Sequence, residues 1–372
     1  MQAEVNPSDG EKLSTVVANW LPRFLANGLD ALQVQGVLAG IERWDQWADA
    51  WTASAREWEE RAVAAQRAGH ETTAGEHFQR AALTLQFAQF VLTEDDAARE
   101  AIHRRQAELY RSAAPRLRPP ALPVSIPWGS TGRSALPGFL RRPTEVSEIG
   151  LVLLVPGLES TKEQFSTYEP YFLNRGLATL SFEGPGQGET WYETPFSDEA
   201  FQQAFAAVLD FAAGLDGVDE RRIGVVGTSF GGYLALKGAG SAPTLACVVD
   251  IAGPYDLAGF DQLQPVIQEG FARIVKAPDS ATAKERLADV SLDGVLDRLE
   301  VPVLIVHGAK DAVIVPEHAQ RISAALDGRA ELWLEPDGNH ACNNKYAVIR
   351  PAVADWVADR VADRVTEAGS RP

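Results

Sequence analysis

Cysteine is scarce in this chain, which has two cysteines, Cys247 and Cys342, among 372 residues. A disulfide-stabilised fold needs several paired cysteines, so a disulfide framework is not indicated, and a reducing compartment is compatible with the sequence. Histidine, cysteine and acidic residues form no cluster with the spacing of a metal site. The sequence therefore predicts no metal and no cofactor.

Basic residues are also few, since 34 Lys and Arg stand against 51 Asp and Glu, for a formal net charge of −17. Such a charge disfavours nucleic acid and anionic membranes as partners. No apolar run approaches the roughly 18 residues that a membrane-spanning helix needs. The first twelve residues are polar and acidic, unlike a signal peptide. We therefore expect a cytoplasmic protein with neither nucleic acid nor membrane as its partner.

Two domains are predicted, residues 1–118 and residues 119–372. The first reads as all helix, because Trp44, Trp47, Trp51 and Trp58 are spaced to share one helical face. A proline-rich linker follows, marked by Pro115, Pro119, Pro120 and Pro123.

Beyond the linker, short apolar runs alternate with helical stretches, which predicts a mostly parallel, doubly wound α/β sheet. The predicted strands are Val124–Pro127, Leu151–Pro156, Ala178–Phe182, Ile223–Val226, Leu245–Ile251, Val301–His307 and Glu331–Leu334. Residues 255–299 interrupt the alternation and are too long for an ordinary connection. We predict that they form a small helical cap over the strand ends.

One apolar strand leads into Gly227-Thr-Ser229-Phe-Gly231, followed by a further glycine and a helical stretch. This is the nucleophile-elbow pattern, in which the glycines leave room for a tight strand-to-helix turn. A serine hydroxyl attacks well only when a base takes its proton and an acid orients that base. The pattern predicts Ser229 as the nucleophile.

The acid and the base are expected on loops that follow later strands. Asp311 follows the strand that ends in His307, and its rival Asp256 follows the preceding strand. His340 lies in a turn after the last strand, whereas His307 ends a strand and fits a backbone contact better. Ser229, Asp311 and His340 thus follow one another in the order serine, acid, histidine that accompanies the nucleophile elbow.

An oxyanion hole needs two backbone amides aimed at the developing negative charge. The amide of Phe230 directly follows the nucleophile. The second amide is predicted at Leu158, with Glu159 as the close alternative, in the loop after the strand that begins at Leu151.

The glycine-rich run from Gly184 to Gly188 fits neither a phosphate loop nor a dinucleotide fingerprint, so it is read as a turn at the rim of the site. Glu189, Trp191 and Tyr192, which follow it, are predicted to line the pocket.

Five features of the sequence belong together: Pro156-Gly-Leu-Glu-Ser-Thr-Lys-Glu163, Gly184-Pro-Gly-Gln-Gly-Glu189, Gly227-x-Ser229-x-Gly-Gly232, Asp311 and Gly-x-His340. In this combination the chain resembles the 2,6-dihydroxypseudooxynicotine hydrolase family, which also includes fungal polyketide-shortening hydrolases. The resemblance covers nearly the whole chain, and its Gly-Leu-Glu-Ser-Thr-Lys run is more specific than the elbow.

The resemblance implies an α/β-hydrolase fold with an added helical N-terminal domain, and cleavage of a carbon–carbon bond next to a ketone. It carries the triad over as Ser229, Asp311 and His340. It also implies a further acid from the cap, for which Asp261 is the candidate, and Tyr255 of the same stretch is a candidate substrate contact.

On this basis the expected substrate is a small β-diketone, polyketide or aryl ketone, and a homodimer is a possible assembly. The same triad would also serve a carboxylesterase, an acyltransferase or a peptidase. A helical interaction protein with a vestigial hydrolase part is the alternative from another class.

Overall fold

The computed structural model describes residues 13–90, 96–129, 134–143 and 149–369, with side chains described from residue 20 to residue 362. The first twelve residues, on which the expectation about a signal peptide depends, lie outside these ranges. Within them, no helix has the length and apolar character that a membrane crossing requires.

The N-terminal part of the described chain is helical, as its aromatic spacing predicts. Its helices α1 to α5 span Leu13–Ala26, Ala31–Ala39, Trp47–Arg67, Glu71–Ala88 and Asp96–Ala113. Trp47 and Trp51 on α3 are fully buried, and the ring of Phe24 lies 5.2 Å from that of Trp51 and 4.5 Å from that of Phe87. Large aromatic side chains therefore pack at the centre of the apolar cluster that holds these helices together.

The described residues from 121 onward build one eight-stranded sheet, which confirms the predicted α/β class. Strands β1 to β8 span Ala121–Trp128, Ser134–Arg141, Ile149–Val155, Ala178–Phe182, Val218–Thr228, Cys247–Ile251, Val303–Gly308 and Ala330–Glu335. Their order is β1-β2-β4-β3-β5-β6-β7-β8. Strands β1, β2 and β4 pair in antiparallel fashion, and the pairs from β4 through β8 are parallel. Strand β2 is an addition to the seven predicted strands.

Helices cover both faces of this sheet. Helices α6 to α12 span Glu169–Leu173, Asp198–Ala213, Phe230–Ala239, Pro265–Ile274, Ser280–Arg286, Glu317–Ala325 and Tyr346–Gly369. Alternate residues of β3 serve the two faces, since Leu153 packs in one apolar cluster with α7 and α8 while Leu154 packs in another with α6 and α12. Helices α9 and α10 form the helical insertion predicted over residues 255–299.

A buried carboxyl interrupts the apolar strand β6. Asp250 is fully buried, accepts one hydrogen bond from the amide of Gly253 at 2.7 Å, and has no hydrogen-bond partner for its other oxygen among the described residues. Burial raises the pKa of Asp250 to about 7. A raised folded-state pKa means that this carboxyl costs stability once the pH passes its unfolded pKa, until the cost levels off near pH 7.

We therefore expect Asp250→Asn to gain about 1–3 kcal/mol of unfolding free energy relative to the wild type when the pH rises from 5 to 8. Urea denaturation of both proteins at the two pH values measures this difference, and it cancels any pH-independent cost of the new amide. Asp210→Asn, on the exposed side of α7, is the matched control. If the difference in unfolding free energy between variant and wild type is the same at pH 5 and pH 8, the raised pKa of Asp250 is contradicted.

Candidate active site

Ser229 lies on a strained turn between β5 and α8. Its backbone has φ 58° and ψ −131°, a conformation that a non-glycine residue seldom adopts. A Cβ on Gly227 would lie 1.9 Å from the carbonyl oxygen of Gly231, and one on Gly231 would lie 2.2 Å from that of Val155. The elbow therefore closes only with glycine at both positions, which is why the sequence pattern identifies it.

The structure brings the three predicted side chains into one hydrogen-bonded relay. Nε2 of His340 lies 2.9 Å from Oγ of Ser229, and Nδ1 lies 2.8 Å from Oδ2 of Asp311. The other oxygen of Asp311 accepts hydrogen bonds from the amides of Val313 at 2.8 Å and Ile314 at 3.0 Å. The carboxylate is thereby fixed so that it orients the imidazole toward the serine hydroxyl.

The environment of Asp311 keeps this carboxyl ionised. Burial alone would raise its pKa, but the charge and the hydrogen bond of His340 outweigh that effect and hold the pKa of Asp311 below its usual value. His307 lies 3.5 Å from the same carboxylate and bonds the carbonyl oxygen of Ile314 at 2.8 Å, as expected from its position at the end of a strand. Asp256, the rival acid, pairs instead with Arg321.

Two glycines bring the loops of Asp311 and His340 together. A Cβ on Gly308, at the end of β7, would lie 2.3 Å from the carbonyl oxygen of Gly338, after β8. This close approach leaves no room for side chains between the loops. Neighbouring parallel strands end at the same edge, so the contact places the acid and the base within reach of each other.

The predicted oxyanion residues flank the nucleophile. A Cβ on Gly157 would lie 3.0 Å from Cβ of Ser229, so the loop after β3 packs directly against the elbow. Leu158 follows and lines the cavity over Ser229. Phe230 is the first residue of α8, where backbone amides have no partner inside the helix and favour negative charge.

Helices α4 and α5 support the loop that carries Leu158. Gln86 donates to the carbonyl oxygen of Glu159 at 2.8 Å, and Gln106 donates to Oγ1 of Thr161 at 2.9 Å. Arg99 donates to the carboxylate of Glu159 at 2.5 Å. Burial alone would raise the pKa of Glu159, but the nearby arginines hold it below its usual value. The N-terminal helices thus fix the backbone beside the nucleophile.

A cavity of about 790 Å³ opens over Ser229 and His340. This volume suits a small organic ligand. The β3 loop, helix α9 and the two ends of the chain contribute to its wall, which includes Leu158, Glu159, Phe271, Arg23 and Arg350. The arginines were not predicted, because nothing in their local sequence links them to Ser229.

Two residues predicted to contact the substrate, Asp261 and Tyr255, bind other side chains away from the cavity wall. Asp261 pairs with Lys284 and its side chain is 71% exposed, so it supplies no acid to the cavity. Tyr255 donates its hydroxyl to Asp293 at 2.6 Å on the surface.

Three more predicted contacts lie behind the β3 loop and not on the cavity wall. Glu189 forms an ion pair with Lys162 at 2.6 Å. Trp191 is buried beneath the guanidinium group of Arg99, at 4.9 Å from its ring, and Tyr192 packs on Trp191 with ring centroids 4.8 Å apart. Their role is therefore to support the loop, whereas Glu159 does line the cavity.

Lys162 lies at the centre of a buried charge cluster. Its ammonium lies 2.7 Å from Glu163, 3.0 Å from Glu183 and 2.6 Å from Glu189, and its side chain is 2% exposed. Oxygen and nitrogen atoms of His103, Glu163 and Glu183 also lie within 4.8 Å of one another, a grouping that the sequence did not predict. Because Lys162 already pairs with both carboxylates, the chain supplies the cation of this cluster itself.

Comparison with known proteins now adds a relative that matches along most of the chain. The 2,6-dihydropseudooxynicotine hydrolase of Paenarthrobacter nicotinovorans is 33% identical over 312 residues, or 84% of this chain and 83% of the relative. The chain belongs to this hydrolase family. The models of the prolyl oligopeptidase family and of the FrsA-like esterases match residues 163–361 and 34–252, more than half of the chain each, so it belongs to both of these broader families as well.

Structural comparison agrees with the hydrolase family. The crystal structure of a 2,6-dihydroxy-pseudo-oxynicotine hydrolase matches with a TM-score of 0.85 at 31% identity, covering 92% of this chain and 96% of that one. The α/β hydrolase ucsC of Acremonium sp. is 31% identical over 62% of this chain and 52% of its own length. This chain is a hydrolase with the α/β-hydrolase fold.

Proposed function

We propose that this hydrolase cleaves a carbon–carbon bond next to a ketone, with Ser229 as nucleophile, His340 as general base and Asp311 as the orienting acid. The relay from Asp311 through His340 to Ser229 carries the proposal, because its distances of 2.8 and 2.9 Å allow proton transfer. The small-molecule cavity above it and the family resemblance support a ketone as the substrate.

The proposed reaction proceeds in two steps. His340 takes the proton of Ser229 while Oγ attacks the ketone carbon, and the amides of Leu158 and Phe230 stabilise the oxyanion. Collapse breaks the carbon–carbon bond, and the leaving carbon receives the proton. Water, activated by His340, then hydrolyses the acyl-enzyme. The net reaction adds one water to the diketone and releases a carboxylic acid and a ketone.

His340 is the proton donor for the leaving carbon in this proposal. Asp261 does not donate this proton in the proposal, because its side chain is exposed and paired with Lys284. Glu159 lines the cavity but is held ionised by its arginine partners, so it has no proton to give at neutral pH. His340 alone can protonate the leaving carbon only if the negative charge on that carbon is already stabilised. The substrate should therefore release an enolate or a phenol-like fragment.

A direct assay distinguishes ketone cleavage from the alternative, carboxylic ester hydrolysis, which the FrsA-like match favours. We expect release of benzoic acid and acetone from benzoylacetone, measured by liquid chromatography, with a kcat/KM above that for phenyl acetate. Rapid hydrolysis of phenyl acetate without any cleavage of benzoylacetone would reject the carbon–carbon assignment and favour the esterase.

Trapping of the acyl-enzyme tests the covalent route. Acid quench during turnover of benzoylacetone is expected to leave a benzoyl adduct on the peptide that contains Ser229, detected by mass spectrometry. If His340 activates water directly and Ser229 only polarises the carbonyl, no adduct forms under conditions of full turnover. That outcome would overturn the covalent step and leave the substrate assignment standing.

Three further points belong to the same proposal. The division into a helical domain over residues 1–118 and a catalytic domain over residues 119–372 agrees with where α5 ends and β1 begins. A homodimer and a cytoplasmic location are proposed from the resemblance and from the acidic composition.

A further inference from the structure

The cavity over Ser229 carries positive charge in a chain with a formal net charge of −17. Arg23, Lys310 and Arg350 are the cationic residues on the described part of its wall, and Glu159 is the carboxylate there. Glu159 is paired with Arg99 at 2.5 Å and lies 3.9 Å from Arg273, so its charge is already compensated. The wall therefore has a surplus of cations that the rest of the composition does not predict.

Two of these cations have no carboxylate partner. Among the described residues, no carboxylate oxygen lies within ion-pairing distance of Arg23 or Arg350, whereas Lys310 pairs with Asp337 at 2.5 Å. Arg350 donates to Oγ1 and to the carbonyl oxygen of Thr167, at 3.1 and 3.3 Å. Both arginines are half-buried, and a guanidinium group that is partly removed from water is costly unless an anion pairs with it.

Both arginines are held in place by aromatic rings. The guanidinium of Arg23 lies 4.2 Å from the ring centroid of Phe90, and that of Arg350 lies 5.1 Å from the ring centroid of Tyr168. Burial lowers the pKa of Arg23 to about 10, although the charge of Glu159 acts in the opposite direction, and burial also lowers the pKa of Arg350. Both groups remain cationic at neutral pH. Stacking fixes each guanidinium plane and leaves its edge available for an oxyanion.

The two arginines share one side of the cavity. Oγ1 of Thr167, which accepts from Arg350, lies 3.3 Å from the carbonyl oxygen of Ala26, one turn along α1 from Arg23. Helix α1 also contacts the turn His340–Lys345, which carries the base. An anion held by this wall would therefore sit in the same cavity as the reacting carbonyl.

We propose that Arg23 and Arg350 bind an anionic oxygen group of the substrate, so that the preferred substrate is a ketone that also bears a carboxylate or similar oxyanion. This inference rests on the proposed function and narrows it from ketones in general to anionic ketones. Arginine is suited to the role because its planar fork forms two parallel hydrogen bonds with a carboxylate.

Matched substrates test the proposal. We compare kcat/KM for benzoylacetone with a para-carboxylate and for its para-carboxamide, which has the same shape without the charge. The wild type should prefer the carboxylate by at least about tenfold. Arg23→Gln and Arg350→Gln should each lower kcat/KM for the carboxylate by about 10- to 100-fold and change that for the carboxamide less than about threefold. Lysine at either position should restore part of the preference.

Arg360→Gln is the matched control, because Arg360 lies on the same helix as Arg350 but stacks on Trp356 at the surface and pairs with Glu331. It should keep the full preference for the carboxylate. Thermal unfolding of each variant shows whether it folds. If a glutamine variant does not fold, benzoate and benzamide inhibition of the wild type decides, with tighter inhibition by benzoate expected.

Other results separate the two proposals. Equal kcat/KM for the charged and neutral ketones, or a preference that survives both glutamine variants, would overturn the anion site while the ketone assignment stands. If neither ketone is cleaved, the proposed function fails. The same comparison with 4-nitrophenyl hemisuccinate and 4-nitrophenyl butyrate then decides the anion site alone.

Discussion

Ser229→Ala should lower kcat by about 10⁴- to 10⁶-fold with a much smaller change in KM. The hydroxyl removed lies 2.9 Å from the imidazole of His340, so the variant loses the attacking atom but keeps the cavity. Steady-state and single-turnover assays on the substrate that the wild type cleaves best measure this effect. The remaining rate would come from binding and from the oxyanion amides alone.

Ser160→Ala is the matched control, because Ser160 lines the same cavity and loses the same hydroxyl without touching the relay. Its kcat should change by less than about threefold. A Ser229→Ala variant with more than a tenth of the wild-type kcat would contradict the nucleophile assignment. Calorimetric titration of the inactive variant with benzoate tests whether its cavity still binds a ligand.

Lys162→Met should lower the unfolding free energy by about 3–5 kcal/mol, the usual cost of removing one partner from a buried ionic cluster. The methionine fills most of the space of the lysine stem but leaves Glu163 and Glu183 without their cation, whereas Glu189 keeps its pair with Arg111. Urea denaturation at pH 7 measures the loss.

The loss of unfolding free energy in Lys162→Met should also depend on pH, and the protonation of the buried carboxyls sets the direction of that dependence. Burial already raises the pKa of Glu183 to about 7 in the presence of Lys162. Without the lysine, the folded-state pKa of Glu183 rises further above its unfolded value near 4.5, so stability falls as the pH rises between these two values. The deficit of Lys162→Met should be larger at pH 8 than at pH 5.

Lys284→Met is the control for this effect, because Lys284 and Asp261 form an exposed ion pair. Its cost should stay below about 1 kcal/mol at both pH values. A Lys162 variant that is as stable as this control would show that the cluster does not hold the fold together.

The sequence predicted the relay because its residues occupy positions that the fold makes necessary. The elbow needs glycine at 227 and 231 for the carbonyl contacts seen there, and parallel strands bring their following loops to one edge. Asp311 and His340 could therefore be chosen from their place after β7 and β8. Their catalytic roles remain predictions until the variants are assayed.

Other elements left no comparable signal. Strand β2 contains Pro137 and Gly138, which break the apolar pattern of a strand. Pro137 pairs with Ser125 of β1 and lies outside the register with β4, where its missing N–H costs no ladder bond. The cavity wall combines Arg23 from α1 with Arg350 from α12, at opposite ends of the chain. The packing of the helices brings these two arginines to the same cavity, and local sequence patterns do not predict that packing.

The hydrogen bonds from α4 and α5 to the β3 loop also limit how this enzyme can be recombined with its relatives. Gln86, Arg99 and Gln106 donate hydrogen bonds to Glu159 and Thr161. The donors on the helices and the acceptors on the loop must therefore come from sequences that fit each other. A chimera that joins the helices of one homologue to the sheet of another would misplace the amide of Leu158. Successful exchanges would transplant the helices together with residues 157–164 as a single block.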